Sequence, residues 1–148
     1  MTSKQPPGRQ PPPIPADIKA LNQKLISEFR ANRGQLSGPM AGRILMLLTT
    51  TGSQSGLLRT VVLGFRKDGD RYLVIASGNG APQHPAWYRN LVANPMATVE
   101  VGPDKFSVRA STAGPGDRDR MAALVPYLQT EQQKTSREIP MVILTPAG

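Results

Sequence analysis

The sequence predicts an α+β fold in which a six-stranded, mostly antiparallel barrel is flanked by helices. Three observations carry this: an early segment with helical spacing, six short strand-like segments separated by hairpin signals, and one short helical segment inserted among them. Strands do not alternate regularly with long helices, so the pattern is that of an antiparallel barrel rather than a parallel sheet.

The elements follow in order. "MTSKQPPGRQPPPIP", residues 1–15, holds six prolines and no apolar run, and reads as a disordered tail that is neither a signal peptide nor a membrane span. From Asp17, Ile18, Leu21, Leu25, Ile26 and Phe29 recur at helical spacing, giving an amphipathic helix within residues 16–34 that ends at Gly34. Residues 40–148 then form the barrel domain. "RILMLLTTT" is an apolar run ending in threonines, "LLRTVVLGFRKDG" a branched segment closing on Asp68 and Gly69, and "DRYLVIASG" its hairpin partner. "HPAWYRNLVANP" is a short helix with Pro85 suited to its start and Asn94-Pro95 to its end. "MATVEVG" and "KFSVRASTA" alternate around Gly102, Pro103 and Asp104 as a second hairpin. Asp117 is the expected cap of a helix over "RDRMAALVPYL", interrupted at Pro126, and "IPMVILTP" is a buried final strand.

Composition narrows the chemistry. The 148 residues contain no cysteine and one histidine, which removes disulfides, thiolate nucleophiles and the usual multi-ligand zinc site. No apolar stretch is long enough for a membrane helix, so the chain is expected in the cytoplasm. The net charge is +8, and no Asp or Glu occurs from Phe29 to Lys67, where Arg30, Arg33, Arg43, Arg59, Arg66 and Lys67 all fall. Such a surface draws anionic partners, and it also serves solubility. Nucleic acid is not the expected partner, because aromatic residues are only 5% and do not interleave with the basic ones.

P-loop, dinucleotide and hydrolase-elbow motifs are all missing. What remains binds anions and flat rings. In "TGSQSG", Gly52 and Gly56 permit positive φ, so successive N–H groups can form a concave anion nest, with Ser53, Gln54 and Ser55 adding side-chain donors; the same turn also serves simply to reverse the chain. Arg59 offers a planar fork nearby. In "IASGNGAPQHPAWYRNL", glycines let a ligand approach the backbone while the helix starting near Pro85 directs its N–H groups at the same place. Trp87 also fits a core position, and His84 a turn.

Taken together, "LLTTTGSQSGLLRT", "IASGNGAPQHPAWYRNLVANP" and "REIPMVILTP" resemble the deazaflavin-dependent nitroreductase family of actinobacteria, over roughly Arg43 to Pro146. That resemblance implies a split β-barrel related to flavin reductases and coenzyme F-420 as hydride carrier. By position it implies that Ser53, Gln54 and Ser55 meet the phosphate and oligoglutamate tail. Arg59, Thr60, Val61, Val62, Leu63 and Gly64 line the deazaflavin ring. Ile75, Ala76, Ser77 and Gly78 touch ring and linker, while Ala86, Trp87, Tyr88, Arg89 and Asn90 close the other side. Ser77, with Tyr88 second, is the expected group polarising a small-molecule hydride acceptor: a quinone, a nitro-aromatic or an activated enone. The family usually carries two basic residues where this chain has Ser53 and Gln54, a proline where it has Leu58, and a lysine at Gly78. Each missing exposed cation weakens a polyanion's binding by about 1 kcal/mol. FMN, or a lipid or ring ligand carried without catalysis, is the alternative occupant. The remaining expectations are a homodimer and peripheral contact with the inner face of the membrane through the first helix.

Overall fold

The computed structural model describes residues 16–147. The tail expected over residues 1–15 lies outside them.

Among the described residues there are seven strands and four α-helices. In chain order they are α1 (Ala16–Ala31), β1 (Leu45–Thr51), β2 (Leu58–Gly64), β3 (Arg66–Asp68), β4 (Arg71–Ile75), α2 (Ala86–Ala93), β5 (Met96–Val101), β6 (Asp104–Thr112), α3 (Pro115–Ala122), α4 (Tyr127–Gln132) and β7 (Met141–Pro146). The strands make one antiparallel sheet of order β2-β1-β5-β6-β7-β4-β3, curled into a half-barrel. The seventh strand corrects the expected six. "LLRTVVLGFRKDG" is a single extended segment that breaks at Phe65, whose ring is buried in the core and whose N–H bonds the carbonyl of Ile44 at 3.3 Å. Its two halves, β2 and β3, are therefore the two edges of the same sheet.

Two apolar layers hold the sheet. Inside the curl lie Met46, Leu48, Phe65, Val74, Trp87, Leu91, Val99, Val108, Val142 and Leu144. On the outer face, Leu73, Ile75, Ile139, Met141 and Ile143 pack beneath Met121, Val125 and Leu128 of the α3–α4 region. Successive residues of β4 and β7 thus go to opposite layers. This explains why "YLVI" and "MVIL" are continuously apolar, since a strand covered on both faces has no polar side to alternate with.

The outer face of β1 and β2 is covered by α1. Phe29 and Leu47 are both buried there, and Arg30 grips Glu100 of β5 with two bonds of 3.0 and 2.8 Å. Burying a phenylalanine side chain contributes about 2–3 kcal/mol, so this one residue anchors the helix more than the half-exposed ion pair does. Toward its start the helix loosens, and Leu21 is 54% exposed. The expected cap at Asp117 is also corrected: Pro115 opens α3, Gly114 takes the cap position, and Asp117 sits in the first turn, where its charge still favours the helix dipole. Among the described residues no helix is long and apolar enough to cross a membrane.

Candidate functional site

Because β1, β6 and β4 run one way and β2, β5, β7 and β3 the other, β1 and β4 finish at the same end of the half-barrel, here called apical. The two loops singled out by the sequence, Gly52–Leu57 and Ala76–Pro85, both lie there, and α2 runs from one toward the other.

The first loop is a tight turn built largely from its own backbone. Gly52 N–H bonds Leu57 O at 2.7 Å, Gly56 N–H bonds Gly52 O at 2.9 Å, and Leu57 N–H bonds Ser55 Oγ at 3.1 Å. Buried Asn90 of α2 completes it: its Oδ1 accepts from Ser53 N–H at 3.0 Å, and its Nδ2 donates to Thr50 Oγ1 at 3.1 Å. Of the expected nest, therefore, only the Gln54 and Ser55 N–H groups have no partner among the described residues. The expectation of two left-handed glycines is corrected as well. Gly56 has φ +71°, whereas Gly52 is glycine because a Cβ there would fall 2.6 Å from Ser55 Oγ and 3.2 Å from Leu57 O.

The second loop is held from outside. Gly78, Asn79 and Gly80 all have positive φ (56°, 58° and 82°), and asparagine tolerates that region better than most residues. Arg137, in the segment leading to β7, reaches into the loop. Its Nε donates to Ala81 O at 2.9 Å, Nη1 to Ala76 O at 3.2 Å and to His84 Nδ1 at 2.9 Å, and Nη2 to Ser77 O at 2.6 Å. His84 is thus half-buried and bonded, a correction to its reading as a simple turn residue. Burial first, then the charges of Arg137 and Arg89, holds its pKa below the ordinary value near 6.5. The N–H groups of Ser77, Gly78 and Asn79, and those of Ala86 and Trp87 at the uncapped start of α2, have no partner among the described residues.

The other expected residues divide by strand geometry. Val61 and Leu63 of β2 pack into the core, while Thr60 shares a 2.8 Å hydroxyl pair with Thr49, and Val62 lies opposite Leu47. Arg59 is exposed at the apical end of this free edge. At the strand's far end a Cβ on Gly64 would make ordinary contact, 3.6 Å, with Tyr127 Oη, a buried hydroxyl with no partner among the described residues. Ile75, Ala76 and Trp87 are buried, so what they present to a ligand is largely backbone. Tyr88 stands edge-on to His84, with ring centroids 5.1 Å apart, and its Oη pairs with Thr112 Oγ1 at 2.8 Å. Ala86 and Arg89 are exposed on α2.

No Asp or Glu occurs between Asp70 and Glu100, which extends the acid-free character of the first loop to the second loop and α2. Asp68, Asp70, Glu100 and Asp104 of β3–β4 and β5–β6 lie toward the other end, among Arg66, Lys67, Arg71 and Lys105. Arg59, Arg89 and Arg109 are exposed toward the apical one. Two hollows, about 510 Å³ at the end of α1 and about 670 Å³ between α3 and α4, involve neither loop.

These features define a curled-sheet protein with unspent main-chain donors and exposed arginines beside two neighbouring loops, and a free strand edge about 20 Å long. They suit a flat, anionic ligand: donors and cations for its oxygens, and a strand edge beside its ring.

A family model described as F-420H(2)-dependent quinone reductase matches residues 22–146. An F-420H(2)-dependent quinone reductase of Mycobacterium tuberculosis is 38% identical over 125 residues, which are 79% of this chain and 84% of that protein. Among solved structures, one described as an F-420-H2 dependent reductase is 34% identical, with a TM-score of 0.61 over 69% of this chain and 94% of that one. Another, described as a domain-swapped dimer, is 30% identical, with a TM-score of 0.63 over 88% and 99%. The chain belongs to the F-420H(2)-dependent quinone reductase family, and coenzyme F-420 is the cofactor that membership implies. The resemblance seen in the sequence is borne out, with quinone rather than nitro compounds in the family's description.

Proposed function

We propose that this enzyme binds reduced coenzyme F-420 across its apical loops and along the β2 edge, and reduces a quinone. The observation that carries this reading is the pairing of two donor-bearing loops at one end of the half-barrel, joined by α2. When bound, the coenzyme supplies a hydride. The Gln54 and Ser55 N–H groups, the hydroxyls of Ser53 and Ser55, and the Arg59 fork meet anionic oxygens of its phosphate and tail. Residues Arg59 to Gly64 present the strand edge to the ring. N–H groups at Ser77, Gly78 and Asn79 favour negative charge on the acceptor oxygen, with the Ser77 hydroxyl adding to them and Tyr88 a second donor. His84 is neutral near pH 7, so it brings no acidic proton, and solvent completes the reduction.

The test uses the single tryptophan, Trp87, which lies at the start of α2. Titration with coenzyme F-420 should quench or shift its emission with a micromolar or tighter midpoint, while FMN should not. Reduced coenzyme should then be oxidised faster by a quinone than by a nitro-aromatic or an enone. Preference for FMN, or no saturable binding of either, overturns the reading.

The membrane contact assigned to α1 falls to the exposed Leu21 side, and a Leu21→Asp variant that partitions into anionic vesicles like wild type counts against it. A homodimer is checked by sedimentation velocity.

A further inference from the structure

Arg137 is a cation with no carboxylate among its partners. Three carbonyl oxygens and one imidazole nitrogen take up its guanidinium, and no salt bridge to it is present among the described residues. A half-buried arginine used this way ties backbone together, and its positive charge stays unneutralised where it is placed.

Its own position is fixed from both sides. Gln132 Nε2 donates to Arg137 O at 2.7 Å, Gln132 Oε1 accepts from Ile139 N–H at 2.9 Å, and Arg137 N–H bonds Thr135 Oγ1 at 3.3 Å. The fork therefore projects from a pinned segment rather than from a loose loop, which is what a group that must hold another loop in one shape requires. The loop it holds contains three consecutive left-handed residues, Gly78, Asn79 and Gly80, of which only Asn79 pays for that conformation.

A guanidinium can only donate. His84 Nδ1 must then accept, and the ring's single proton in the neutral form is on Nε2.

We propose that Arg137 is a positioning residue of the reductase site: its grip on Ala76, Ser77, Ala81 and His84 holds the free N–H groups of Ser77 to Asn79 in place for an anionic oxygen of the ligand and fixes His84 as the Nε2–H tautomer. This rests on the reductase reading above. The charged and titratable groups around His84 are Arg137, Arg89 and Tyr88 of α2, and, across Gly80, Lys134, which is itself paired with Glu131 at 2.8 Å.

The chain has one histidine, so its ring signals are unambiguous in a ¹⁵N-labelled sample of the full chain. Long-range ¹H–¹⁵N spectra without cofactor should show an unprotonated Nδ1 and a protonated Nε2 at pH 7, titrating below the ordinary histidine range. Arg137→Lys keeps the charge and loses the fork; Arg137→Gln loses both. Both should remain folded by circular dichroism and bind coenzyme F-420 about tenfold or more weakly, as expected for losing charged hydrogen bonds. In Arg137→Gln the His84 midpoint should rise toward the ordinary value. A protonated Nδ1 in a wild type that binds the coenzyme overturns the role of Arg137 alone. So do folded variants with unchanged His84 spectra and unchanged affinity. A wild type with the expected His84 spectra but no coenzyme binding overturns the reductase reading instead.

Discussion

The two apical loops solve the same problem in opposite ways. Gly52–Leu57 spends most of its N–H groups on its own closure and on Asn90, so it is rigid and keeps two donors, Gln54 and Ser55. Ala76–Pro85 makes only two short internal bonds and is shaped by Arg137, whose fork takes carbonyls and leaves the N–H groups of Ser77 to Asn79 free. A loop that is braced through its carbonyls keeps its donors for a ligand, whereas one braced through its N–H groups must rely on side chains.

The contrast can be broken at Asn90 first. Asn90→Ala leaves Ser53 N–H and buried Thr50 Oγ1 without partners, and should lower the unfolding free energy by about 2–3 kcal/mol in urea titrations while weakening coenzyme binding. Next, Gly52→Ala drives a Cβ into Ser55 Oγ and Leu57 O. It should cost about 1–2 kcal/mol and reduce affinity for the phosphate end with little change in turnover at saturation, read from KM and kcat separately.

The second loop is tested by pH. Burial and Arg137 depress the His84 pKa in the fold, so the unfolded chain binds more protons below about pH 6.5. Stability should be complete above that value and fall as pH drops through the folded midpoint. In His84→Gln, which keeps an acceptor for Arg137, this part of the pH dependence should vanish from denaturation curves. The smallest effect comes from sharpening the first loop. Gln54→Arg restores an exposed cation and should tighten coenzyme binding by about 0.5–1 kcal/mol at low salt, with the gain fading as ionic strength rises.

Much of this arrangement is written locally in the chain. The hairpin at Asp68-Gly69, the proline-bounded α2 and the unbroken apolar runs of β4 and β7 each carry a short-range signal that the fold obeys. Phe65 gives less warning, because a bend within an apolar segment has no signature beyond the glycine before it. The role of Asn90 is half visible: helix position is legible, but a side chain spent on residues 37 and 40 positions away is not. Arg137 is the clearest omission. Its partners lie 53 to 61 residues earlier, and adjacent Glu138 makes it look like one more solvated charge. Only the lack of acid between Asp70 and Glu100 hints that a cation from elsewhere is needed there.

Because β2 and β3 are consecutive pieces of one strand, the half-barrel is joined across its open side by a covalent bond rather than by a ladder of hydrogen bonds. Phe65 at the join is buried in the core, and next to it Arg66 of β3 lies 4.9 Å over the Tyr127 ring. A seam of this kind cannot fray residue by residue, as a ladder of hydrogen bonds can.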